Sequence, residues 1–104
     1  MSFEVKKIFL SSQFTPTSPN ENPTDNTDVI VWLTNGDKYV ASFFTFIKLE
    51  KLQRLHSKTG DFMGGKYFWE KNMLLIDECE ENNIKSVVNH LIKEGDFLNV
   101  FERI

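Results

Sequence analysis

A chain of 104 residues, 40% hydrophobic and 26% charged, can bury roughly 65% of its unfolded surface around one core, which excludes both a disordered polymer and a multidomain assembly. Its net charge of -3 repels phosphate backbones, so nucleic-acid binding would need a local basic patch, and none is legible. The single cysteine, Cys79, cannot close an internal disulfide, and the apolar stretch after Met1 is too short and interrupted for a signal peptide or a spanning helix. The expectation is therefore one domain over residues 1–104, cytoplasmic and not attached to a membrane.

Residues Phe3 to Leu10 alternate loosely and include β-branched and aromatic types, which predicts a first strand. Pro16, Pro19 and Pro23 then fall among Ser, Thr, Asn and Asp, and this composition predicts a mobile loop over 15–27 with almost nothing to bury. The strongest local signal follows: Val29 to Thr34, then Asn35-Gly36, then Asp37 to Phe44. An Asn-Gly pair accepts the two positive φ values of a type I′ turn, so a two-residue hairpin is predicted, with Thr34 opposite Asp37. That register places Trp32 with Tyr39 and Ile30 with Ala41 on one side, and Val29, Val31, Leu33, Val40 and Phe44 on the other. Both faces are then apolar, and one layer of helices cannot cover both.

Thr45 is a suitable N-cap for a helix reaching about Lys58, and Gly60 stands where a left-handed residue would end it. Its apolar stripe, Phe46, Leu49, Leu52 and His56, is expected to face the sheet. A glycine-containing loop over 60–66 leads to Tyr67-Phe68-Trp69, and Asn72 to Asp77 reads as a short buried strand in the same sheet. Ile84, Val87, Val88, Leu91 and Ile92 recur at helical spacing before Gly95, and residues 96–101 carry enough apolar side chains for a final short turn or helix. The order β-β-β-α-β-α predicts an α+β domain, an antiparallel or mixed sheet with two helices packed on one face.

No constellation of catalytic residues survives scrutiny. Gly60 to Tyr67 spells G-x-x-x-x-G-K-Y, but a phosphate-binding loop needs Ser or Thr after the Lys to hold magnesium, and it must lead from a strand into a helix. His90 and Glu94 supply at most two ligands, which is too few for a metal site. Cys79 lacks any flanking pattern of a nucleophile. Asp77, Glu78, Glu80 and Glu81 are accounted for by the positive N-terminal end of the following helix. No cofactor, metal or catalytic residue is expected.

The aromatic residues are the better argument for a binding surface. Trp32, Tyr39, Phe43, Tyr67 and Trp69 exceed what so small a core requires, and such rings serve as interface anchors. Together with Glu78 and Glu81, which could dock a basic partner, they form the candidate binding set. The expected function is a non-catalytic protein-interaction domain whose simplest partner is a second copy in a homodimer. A more specific form is an immunity-type or antitoxin-type inhibitor that uses the acidic residues. The alternative is a small-ligand binder or enzyme with a pocket near His56 and Tyr67.

The segments Asn35 to Thr45 with their F-F-T, Thr59-Gly60, and Gly65 to Met73 with their G-K-Y-F-W resemble a group of small bacterial proteins of unassigned function. The resemblance spans most of Val29 to Phe101 and leaves out the Pro-rich stretch. It implies a stand-alone bacterial cytosolic domain and carries no activity with it.

Overall fold

The computed structural model describes residues 3–11 and 25–104. Pro16, Pro19 and Pro23 of the expected 15–27 loop lie outside the described residues, while its last two residues, Asn26 and Thr27, already belong to a strand.

Among the described residues the fold is α+β, with five strands and four helices in one chain order. Strand β1 (Val5–Leu10) pairs antiparallel with β2 (Asn26–Leu33), which pairs antiparallel with β3 (Lys38–Thr45). Helix α1 (Phe46–Thr59) and the short helical segment α2 (Asp61–Gly65) then carry the chain to β4 (Met73–Ile76). That crossover makes β4 parallel to β3, so the sheet is mixed. Helix α3 (Glu81–Glu94), helix α4 (Phe97–Val100) and a two-residue strand β5 (Glu102–Arg103) complete the chain. Strand β5 pairs with the start of β3, opposite Tyr39 and Val40.

The helix boundaries follow from their caps. The Thr45 hydroxyl accepts the Lys48 N–H at 3.0 Å, satisfying one of the N–H groups that the first turn leaves open. Gly60 ends α1 and Gly95 ends α3, both left-handed, a conformation that costs a side chain-bearing residue about 1–2 kcal/mol.

The hairpin departs from the expected register by one residue. Leu33 N–H donates to Asp37 O at 2.9 Å and Gly36 N–H to Leu33 O at 3.0 Å, enclosing the three-residue loop Thr34-Asn35-Gly36. Only Gly36 has a positive φ there, so the turn is a type I turn closed by a glycine bulge, and the type I′ turn is absent. Asn35 keeps ordinary backbone angles because its side-chain oxygen has another task, accepting the Asp37 N–H at 2.9 Å. A slip of one residue turns every side chain of β3 to the other face. Val31 therefore stands opposite Tyr39, Ile30 opposite Val40 and Trp32 opposite Lys38.

This register sorts the sheet into two unlike faces. On one, Val29, Val31, Leu33, Tyr39, Ala41 and Phe43 are buried together with Ile84 and Val88 of α3, Phe97 of α4 and Phe101. Phe97 stacks on Phe101 at 4.6 Å and meets Tyr39 edge-on at 5.3 Å, which ties the C-terminal segment onto the sheet. The two helices on this face are α3 and α4.

Helix α1 does not supply the second core helix. Of its expected stripe only His56 is buried, and Phe46 is 58% exposed. The helix lies at the end of the sheet instead. There His56 rests 4.7 Å from the Phe62 ring and 6.0 Å from Phe68, and Phe68 meets Phe44 edge-on at 5.6 Å. An ion pair between Lys51 and the buried Asp25, 2.6 Å long, fixes this corner to the start of β2.

Candidate functional site

The face of the sheet opposite α3 and α4 is built by strand alternation. Asp28, Ile30 and Trp32 of β2 alternate with core residues, and Lys38, Val40 and Ser42 are their partners on β3. Phe9 of β1 sits opposite Ile30, and Lys7 opposite Trp32. Phe9, Ile30, Trp32 and Val40 are all half-buried and stand outside the core cluster. Phe44 continues the row, but Phe68 closes that end.

The open part therefore runs from Ser42 toward the hairpin. Phe9 and Trp32 are in ring contact at 4.9 Å. The Lys7 ammonium lies 4.6 Å over Phe9 and the Lys38 ammonium 4.3 Å over Trp32, positions in which the ring quadrupole attracts a cation. At the other end the Asp28 carboxylate accepts the Ser42 hydroxyl at 3.0 Å. An apolar middle thus separates two ammonium groups from one carboxylate.

The expected binding residues are not brought together. Phe43 is 0% exposed and cannot touch a partner, and Tyr39, 8% exposed, shows only an edge to the cleft it lines beside Phe3, Asp37 and Arg103. Their assignment to a binding surface is corrected by the one-residue register slip, which aims Tyr39 inward, and by the Phe43 ring's contact with Phe101 at 6.0 Å. Trp32 lies on the open face. Tyr67 and Trp69 are 51% and 65% exposed, but they follow α2 and do not belong to the sheet. Phe9, Ile30 and Val40 were not singled out by sequence reasoning as site residues. The alternation of β2 already placed Ile30 with Trp32, whereas the facing of β3 depended on the turn type.

Glu78 is exposed in the connection to α3, and Glu81 is exposed as the first residue of that helix. Asn83 Nδ2 donates to Asp77 Oδ1 at 2.6 Å and to the Glu78 carbonyl at 2.9 Å, and Glu81 pairs with Lys85 one turn on, at 3.1 Å. The Asn83 amide, and then the Glu78 N–H, hold the Asp77 carboxyl below its ordinary value by stabilising the charged form. These bonds tie the acidic residues to the entry of α3.

A cavity of about 370 Å³ lies between α1 and the segment after α2, lined by Leu49, Glu50, Gln53, Gly65, Lys66, Tyr67 and Phe68. Tyr67 is at the expected pocket, but His56 is not among its walls; the imidazole is buried against two phenylalanine rings, and its Nδ1 has no hydrogen-bond partner. The lining offers the Glu50 carboxylate, which is paired with Arg54, the Gln53 amide, the Lys66 ammonium and the Tyr67 phenol for polar contacts, and contains no histidine or cysteine.

Cys79 is buried and its Sγ donates to the Phe43 carbonyl at 3.8 Å. Burial, and then the nearby Asp25 charge, push the thiol up from 9.0 to about 11, because both disfavour the thiolate. The thiolate fraction near pH 8 then falls about 100-fold, offset about tenfold by the greater nucleophilicity of a more basic thiolate. Iodoacetamide should label Cys79 in the folded chain at least tenfold more slowly than in urea. The same shift makes the unfolded chain lose its thiol proton first, so folding stability should decline as pH rises from about 9 toward about 11. A Cys79→Ala variant should lack that component of the decline.

Among the described residues, no three His, Cys, Asp or Glu side chains are grouped so as to hold a metal ion, and no helix is long and apolar enough to cross a membrane. Compared with known protein families, characterised proteins and solved structures, the chain matches none.

Proposed function

We propose that the chain is a non-catalytic protein-interaction domain whose binding surface is the sheet face opposite α3 and α4. The observation that carries this reading is the row Ile30, Trp32 and Val40, apolar side chains on the two central strands β2 and β3 that remain outside the core and half-exposed. Side chains of this kind on a central strand cost stability when wet and contribute it when a partner removes the water, at roughly 25 cal/mol per Å² buried. Ringed by Lys7, Lys38 and Asp28, the patch has the apolar centre and polar rim of a recognition surface. A cytoplasmic setting belongs to the same reading, supported by the lone buried cysteine. The bonds from Asn83 to the Asp77 carboxylate and from Lys85 to Glu81 engage part of the acidic group, which favours the sheet face as the contact surface.

The test is a photo-reactive benzoylphenylalanine placed at Val40, with a second at the exposed Asn89 as control, irradiated in cells. A discrete protein adduct is expected from position 40 and none from position 89. No adduct at 40, or the same pattern from both positions, overturns the reading.

A further inference from the structure

We infer that the occupant of the open sheet face is a second copy of this chain, packed face to face with its strands reversed; this inference rests on the interaction reading and specifies its partner. The argument is one of charge and symmetry. Ile30 and Val40 face each other at the centre of the patch. Two residues toward the hairpin stand Trp32 and Lys38, with Lys7 at the same level on β1; two residues the other way stand Asp28 and Ser42. At about 3.3 Å per strand residue, cation and carboxylate lie about 7 Å to either side of the centre.

A homodimer places the same patch on itself through a two-fold axis. For two sheets packed face to face, that axis lies between them and runs either along the strands or across them. An axis along the strands keeps Lys38 at the level of the other copy's Lys38 and Asp28 at the level of its Asp28, which is repulsive at both ends. An axis across the strands, passing near Ile30 and Val40, brings each Lys38 to the level of the other copy's Asp28, one strand spacing of about 4.8 Å to the side. It makes two opposite-charge pairs around a shared apolar centre. Sheets packed this way stand about 10 Å apart with strand directions within about 30° of each other, a gap that a lysine side chain can span.

Among the described residues Asp28, Lys7 and Lys38 enter none of the chain's own ion pairs, so the charges that the axis matches are available for it. The lysine positions over Phe9 and Trp32 suit the same arrangement. In the free chain the ammonium groups lie over the rings, and in the dimer they swing a short way to a carboxylate.

The inference is tested with the purified chain by light scattering coupled to size exclusion over 1–200 µM, with melting curves to check folding. The expected mass is twice the 12.2 kDa of the chain. Lys38→Asp and Asp28→Lys alone should each weaken dimerisation at least tenfold, and the double variant should dimerise more tightly than either single one though less tightly than the parent, because the exchange rebuilds the pairs between positions 38 and 28 with reversed sign while Lys7 stays positive. Val40→Glu should give a folded monomer. A monomeric parent chain at every concentration overturns the inference, as does a double variant no better than the worse single one. If the parent is monomeric while position 40 still cross-links to a different protein in cells, self-association falls and the interaction reading stands.

Discussion

Replacement of Phe43 by alanine is expected to cost about 3–5 kcal/mol, the range for removing a fully buried phenylalanine and leaving a cavity. The ring is 0% exposed, pairs edge-on with Phe101 and belongs to the cluster that joins β3 to α3 and α4. Total stability for a domain of this size is about 5–15 kcal/mol, so the variant sits near the edge of folding. Urea unfolding should show a large fall in midpoint with little change in slope, as a two-state stability loss requires. Trp69→Ala supplies the contrast: its ring is mostly in water, and the change should stay within about 0.5 kcal/mol. Both residues are aromatic and both were candidates for a binding surface, yet one holds the molecule together and the other does not. A Phe43 variant losing less than about 1 kcal/mol would falsify the placement of the inner face.

The elements readable from sequence were those with a local cause. The Thr45 hydroxyl, the left-handed Gly60 and Gly95, and the Ile84 to Ile92 periodicity each act within a turn or two of chain, and the helices begin and end where those residues say. Strand β4 was legible for the same reason, as a short apolar run between polar ends. What escaped depended on distant partners. Strand β5 is two residues long and exists because the Val40 region offers it a free edge, a fact absent from Glu102 and Arg103 themselves.

The hairpin register turned on whether Asn35 would adopt a positive φ or keep ordinary angles and spend its side chain on Asp37. Both choices suit an Asn-Gly pair, and they differ in the facing of the whole of β3. The candidate surface was accordingly half legible. Its β2 members, Ile30 and Trp32, were placed on one side correctly, whereas Tyr39 was assigned to them and Val40 was not. The doubly apolar character of the hairpin persists in the structure, but of the five rings counted as excess Tyr39 and Phe43 are taken up by the core, while Trp32, Tyr67 and Trp69 stay outside it. Nothing local announced the Phe44, Phe62 and Phe68 corner, since Phe62 and Met63 both adopt positive φ values that their side chains disfavour.

That corner yields the second large effect. The backbone is left-handed at Phe62, Met63 and Gly64, with φ of 52°, 56° and 71°, and Gly65 follows at 84°. Two of these residues carry side chains, each strained by about 1–2 kcal/mol, so the segment depends on its packing against α1 to stay in place. The contact point is Gly65: a Cβ there would stand 2.6 Å from the Gln53 backbone oxygen and 3.4 Å from the Ser57 nitrogen. Backbone of a formed helix cannot yield as a flexible side chain can. Gly65→Ala should therefore cost the left-handed penalty together with an overpacking penalty, about 2–5 kcal/mol in all. Gly64→Ala separates the two, because its φ is also positive while nothing lies within 4 Å of the added carbon, and it should cost only the left-handed penalty of about 1–2 kcal/mol. Urea midpoints of the two variants, measured side by side, decide between a conformational and a steric origin. Equal losses would mean that α2 does not press against α1, whereas the expected gap of at least about 1 kcal/mol identifies Gly65 as the position that lets the aromatic corner close.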